Sequence, residues 1–132
     1  MSETRTGNKS PGFARHPEHR VDLVREAGRV RVGFNGATVA DSALPLTVKE
    51  TGHDGVFYLP RQDVRMDLLT PTNHHTHCPF KGEASYWTLT VGDRTAENAV
   101  WSYEKPYDET MELRGLVAFY ADRMDEVIVD PH

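Results

Sequence analysis

Arg29-Val30-Arg31-Val32-Gly33-Phe34-Asn35-Gly36-Ala37-Thr38-Val39-Ala40-Asp41 decides the fold class. Val30, Val32 and Phe34 alternate with Arg29, Arg31 and Gly33. A period of two sends one set to a core and the other to water. Asn35-Gly36 follows at once. Both central residues of a type I′ turn need positive φ, and Asn-Gly meets that demand at low cost. The stretch predicts an antiparallel hairpin, with a return strand over 37–41 and its arginines outward.

The same rhythm extends on both sides. Upstream, Val21 and Leu23 flank Asp22. Downstream, Leu44, Leu46 and Val48 alternate, with Pro45 marking an edge or bulged strand. Thr51-Gly52-His53-Asp54-Gly55 is a turn, and 56–59 a strand. Pro60 opens a short helix, with Asp63 in its first turn and Val64 and Leu68 on one face. Thr70-Pro71 stops it, and residues 70–83 read as a loop. Residues 84–91 form the clearest strand. Ser85, Trp87, Leu89 and Val91 fall on one face, and Tyr86, Thr88 and Thr90 on the other. Ala99, Trp101 and Tyr103 share a face of the next strand. A second short helix is expected over 108–114, ended by Gly115. Residues 116–120 are apolar on both faces, as in a central strand, and 127–129 close the fold. About eight short strands and two short helices predict a mainly β domain, a small antiparallel sandwich or partly open barrel.

The chain has 132 residues, one domain's length. Residues 1–19 hold Gly7, Gly12, Pro11 and Pro17 with little to bury, and read as a flexible N-terminal arm before a single β domain over 20–132. The net charge is −5, unevenly placed: residues 1–31 carry seven Lys/Arg against four Asp/Glu, the remainder eight against sixteen. An acidic body argues against nucleic acid as a partner. Cys78 is the single cysteine, so no intrachain disulfide can form, which favours a reducing compartment. The N-terminus lacks the apolar stretch of a signal peptide, and no apolar run approaches membrane-spanning length. A cytoplasmic protein without a membrane partner is expected. Edge strands leave both a monomer and a homodimer open.

Three constellations carry chemistry. His74-His75-Thr76-His77-Cys78 invites a metal reading, since His75 and His77 fall on one side of an extended chain, but a tetrahedral site needs further ligands. Cys78 is a candidate catalytic nucleophile, with His77 or Lys81 to activate it. Tyr58, Arg61, Lys81, Tyr86, Asn98, Trp101 and Tyr103 are candidate ligand-binding residues, in a cleft with aromatic walls and one or two cations that suits a small anionic or planar molecule. Gly82 frees the backbone to aim Lys81 at a fixed point. Phosphate-loop, dinucleotide, zinc-protease and nucleophile-elbow motifs are all missing, and no cofactor is implied.

Five segments occur in order: Val39-Ala40-Asp41-Ser42; Tyr58-Leu59-Pro60-Arg61-Gln62-Asp63-Val64; Cys78-Pro79-Phe80-Lys81-Gly82-Glu83-Ala84-Ser85-Tyr86-Trp87; Asn98-Ala99-Val100-Trp101-Ser102-Tyr103; and Gly115-Leu116-Val117-Ala118-Phe119-Tyr120. On these the chain resembles the DUF427 family, a domain of unknown function also labelled nucleotidyltransferase-like, from about Arg20 to Val129. The resemblance implies a mainly β fold similar to the Mss4-like, or β-tent, topology. Relatives of that topology hold a structural zinc on paired-cysteine motifs, which are absent here. The Gly-Ser and Asp-x-Asp pattern of nucleotidyl transfer is absent as well. The resemblance brings no established catalytic residue.

Overall fold

The computed structural model describes residues 7–131, so any expectation for residues 1–6 lies outside the described part. Strands make up 54% of the described residues, in three antiparallel sheets without a closed barrel among them. β2 (Ala27–Phe34) and β3 (Ala37–Ser42) form the expected hairpin. Asn35 and Gly36 take φ of 49° and 81°. Val30, Val32 and Phe34 are buried, while Arg29 points out to Asp41 at 2.7 Å. A bulge in β3 lets consecutive Val39 and Ala40 both face inward. β10 (Glu126–Pro131) adds to the other edge of β2.

β1 (Val21–Val24), β4 (Leu46–Glu50) and β5 (Val56–Tyr58) make a second sheet. The largest is the sheet of β6 (Leu69–Cys78), β7 (Gly82–Val91), β8 (Arg94–Tyr103) and β9 (Val117–Phe119). Residues 70–83, expected as a loop, are thus mostly strand. β6 is an edge strand, largely exposed and built of Thr, His and Asn, so it has no apolar alternation to betray it. Pro71 is tolerated because an edge strand can spare an N–H.

The expected faces of β7 hold: Trp87, Leu89 and Val91 pack on one core, and Ala84 and Tyr86 on the other. Asn98 sits in β8 at φ 51°, and the β7–β8 register slips between Trp87 and Leu89. Ala84 and Tyr86 are buried before the slip, and Leu89 after it. β8 breaks its alternation at this bulge, where Ala99, expected on the face of Trp101 and Tyr103, joins Val100 in one core; from Val100 onward β8 and β9 feed two cores alternately. Val100, Val117 and Phe119 join a cluster with Val30, Val32 and Leu89. Trp101, Tyr103 and Ala118 join one with Leu46, Val48, Tyr58 and Tyr86. β9 ends its sheet instead of lying at its centre, but Leu59 and Val117 exchange two backbone hydrogen bonds of 2.8 Å, which ties it to the sheet of β5.

The helix expected after Pro60 is only two 3-10 turns, Arg61–Asp63 and Met66–Leu68, with Val64 extended between them and bridged to Ala40. The second expected helix is a 3-10 segment, Asp108–Leu113. Of the expected flexible arm over 1–19, residues 1–6 lie outside the described part. From Asn8 onward the segment packs on the body. A five-residue helix α1 (Pro11–Arg15) is capped by Ser10, whose hydroxyl accepts from the Phe13 N–H and donates to the Pro79 carbonyl at 2.6 Å. The Gly12 N–H donates to the same carbonyl at 2.9 Å. A Cβ on Gly12 would lie 2.7 Å from that oxygen and from Phe80, so only glycine permits this approach.

Candidate functional site

The turn between β6 and β7 places the first functional group. Gly82 takes φ 122°, and its Cα packs against Lys105 and Pro106, where a Cβ would come within 3.3 Å of the Lys105 carbonyl. The Lys81 carbonyl accepts from the Tyr107 N–H at 3.0 Å. The backbone that follows the Lys81 side chain is therefore fixed. Lys81 does not point to water. Its side chain is 11% exposed and its ammonium donates to Oε1 of Glu50, at the end of β4.

Glu50 binds a second donor. His19 Nε2 lies 2.9 Å from its Oε2, and the imidazole stacks on Phe80 with ring centroids 3.9 Å apart. Burial pushes the Glu50 carboxyl upward, but the hydrogen bonds from Lys81 and His19, with the charges of Lys81 and His53, outweigh it and hold the carboxyl below its ordinary value. The result is a half-enclosed knot of ammonium, carboxylate and imidazole.

This knot forms one wall of a hollow of about 430 Å³. Tyr58, Tyr86, Trp101 and Tyr103 line it from β5, β7 and β8, with Cys78 and Tyr120. Trp101 Nε1–H donates to the Tyr58 hydroxyl at 3.0 Å, and the two rings meet edge to face. Tyr86 Oη lies 2.9 Å from Thr76 Oγ1 and 3.4 Å from Tyr120 Oη. Trp101 and Tyr120 rings pack with centroids 4.5 Å apart. Burial raises the Tyr58 and Tyr103 hydroxyls well above their ordinary value, and burial with the Tyr86 bond pushes Tyr120 up to about 12. All three hydroxyls are neutral at physiological pH. The rings belong largely to the domain interior: Trp101 is 9% exposed and Tyr58 2%. Tyr120, 39% exposed, stands at the rim.

Five of the seven expected binding residues thus meet at one hollow: Tyr58, Lys81, Tyr86, Trp101 and Tyr103. Arg61 and Asn98 lie outside it. Arg61 donates to the Gly115 carbonyl at 2.9 Å, to Ser102 and to Glu104, and lies over the Trp87 ring, so it fastens the 3-10 turn to β8. Asn98 holds the bulge: its side-chain oxygen accepts from Thr72 Oγ1 at 2.7 Å and its N–H donates to Thr88.

Cys78 is half-buried and borders the hollow. Its two expected activators are engaged with others, His77 Nε2 with the Tyr107 hydroxyl at 3.2 Å and Lys81 with Glu50. His75 is exposed beside Glu83 at 4.0 Å, and His74 packs on Tyr86. Among the described residues, no group of three or more His, Cys, Asp or Glu comes together to hold a metal. Nor does any helix among them have the length and apolarity to cross a membrane.

His19, Glu50, Phe80 and Tyr120 escaped the sequence reading. His19 lay in a segment read as a flexible arm, and Glu50 was given no role. One signal was available: a lysine aimed by a glycine into an aromatic hollow needs a carboxylate beside it.

Residues 22–130 match the family model described as Domain of unknown function (DUF427), and the chain belongs to that family. No curated protein matches the chain significantly.

Proposed function

We propose that this domain binds a planar small molecule in the hollow between β4, β5, β7 and β8. The observation that carries the reading is the convergence of Lys81, Tyr58, Tyr86, Trp101 and Tyr103, from separate segments, on one hollow of about 430 Å³. That volume falls in the range of small-molecule sites, which are mostly apolar with a few fixed polar groups. Lys81 and Glu50 together offer a donor and an acceptor side by side. A bare anion would have to displace Glu50 from Lys81. A flat molecule whose edge both donates and accepts keeps the pair intact and lays its face against the rings. Such a ligand is favoured over the simple anion.

The test uses benzamide, which has a flat ring and an amide edge, against acetate, which has charge alone. Trp101 and Trp87 give separate indole N–H resonances, and only Trp101 borders the hollow. Benzamide is expected to move the Trp101 signal saturably, acetate not, and Lys81→Met to weaken the benzamide effect severalfold. An unmoved Trp101 signal at millimolar benzamide would overturn the reading.

A further inference from the structure

A second hollow, of about 300 Å³, adjoins the first. Val30, Val32, Leu59 and Phe119 form its floor, and Phe57 and Val127 its sides. Its side chains are apolar except for the ring polar atoms of Trp101 and Tyr120. The floor is rigid core: Val30 and Leu59 are each 1% exposed. An engineered apolar cavity of about 150 Å³ is enough to hold benzene. A space twice that size would fill with water at a cost if nothing else occupied it, because its walls offer few hydrogen bonds.

The two hollows share three residues, Val56, Trp101 and Tyr120. Trp101 belongs to both because β8 alternation drives it between the sheets, with the Tyr58 bond on one side and the Tyr120 ring on the other. Tyr120 lies at the rim, held to Tyr86 only by a long 3.4 Å contact. On one side of this pair stand an ammonium, a carboxylate and three phenols. On the other side stand valines, leucine and phenylalanines.

We propose that the two hollows are two ends of one site, and that its ligand is amphipathic: a flat polar head beside Lys81 and Glu50, and an apolar tail of a few carbons reaching past Trp101 and Tyr120 into the valine-lined space. This rests on the proposed binding cleft and names the class of its ligand. The head is recognised by hydrogen bonding and ring contact, the tail by removal of apolar surface from water, and a molecule with only one of these fills half the site.

The experiment compares benzamide with 4-butylbenzamide. Burying a methylene tightens binding about fourfold, so a tail even partly buried should tighten it about tenfold or more. Methyl resonances of Val32 and Val127 should shift with 4-butylbenzamide and stay put with benzamide. Ala121→Phe and Val127→Phe place a ring in the second hollow from exposed or half-buried positions. Either should erase the gain from the butyl group and leave benzamide binding intact. Benzamide binding without a butyl gain, or a gain that survives both substitutions, overturns the two-ended site while the cleft itself stands. If neither compound moves the Trp101 signal, the cleft reading falls and takes this one with it. Should both substituted chains fail to fold, the valine methyl shifts of the unaltered protein decide the matter alone.

Discussion

Replacing Glu50 by glutamine keeps the shape of the Lys81–Glu50–His19 knot and removes its negative charge. The side chains of Lys81 and Glu50 are 11% and 12% exposed, and that of His19 is 17%. Removing one partner of a pair this enclosed leaves the other charge poorly solvated, and the cost should be about 3 kcal/mol. For a domain of this length that corresponds to a fall in Tm of about 10 °C. Replacing both partners with apolar groups, as Glu50→Leu with Lys81→Met, should recover most of the loss, since neither charge then needs the other. The pH dependence supplies a second, independent signature. The Glu50 carboxyl titrates below its ordinary value in the folded state. Its stabilisation is therefore complete above the ordinary carboxylate range, and disappears as pH falls through the depressed folded value. The penalty of Glu50→Gln should be full at neutral pH and shrink in acid. Equilibrium urea unfolding at several pH values measures both. A penalty below about 0.5 kcal/mol at neutral pH, the size of an ordinary surface change, would show that the knot contributes nothing. A penalty equally large in acid would show that charge is not its cause.

Two further substitutions probe the parts that place the site. Gly12→Ala puts a methyl 2.7 Å from the Pro79 carbonyl and Phe80, which should unseat α1 and speed tryptic cleavage after Arg15 about tenfold; an unchanged cleavage rate would mean that the α1 contact is not needed to hold the segment. Asn98→Ala should cost about 2 kcal/mol, from a left-handed backbone that alanine resists and a lost hydrogen bond to Thr72, while Asn98→Gly should cost about half as much. Equal stability of the two, measured by chemical denaturation, would refute the backbone part of that argument.

The hairpin at Asn35-Gly36 was legible because two local signals agreed: the period-two burial of Val30, Val32 and Phe34, and a dipeptide made for positive φ. β6 was not legible, because an edge strand of histidines and threonines satisfies its backbone through β7 and needs no apolar face. The break in β8 alternation at Ala99 was hidden for a different reason. The bulge at Asn98, a residue at positive φ, puts two extra β8 residues opposite β7, so consecutive Ala99 and Val100 both enter the core of Val30 and Leu89. The packing of residues 8–19 was hidden because, apart from the Phe13–Phe80 ring contact, its anchors are polar or backbone groups. Ser10, Gly12 and His19 hold the segment through a carbonyl, a missing Cβ and a carboxylate, none of which leaves a period in the sequence.

The aromatic half of the site was easier to anticipate than the charged half, and the charge balance explains why. Beyond residue 31 the chain carries sixteen acidic residues against eight basic ones. A half-buried cation in such a body has a carboxylate within reach, and the cost of desolvating it alone drives the two together. Lys81 found Glu50 and Arg61 found Glu104. Rings have no such competing partners, so alternation along β7 and β8 largely decides where they point once the register is known. An isolated cationic cleft is therefore the arrangement this composition resists. A hollow walled by rings, with one neutralised donor–acceptor pair at its edge, is the arrangement it supports, which is why the ligand proposed for it is a flat molecule and not a bare anion.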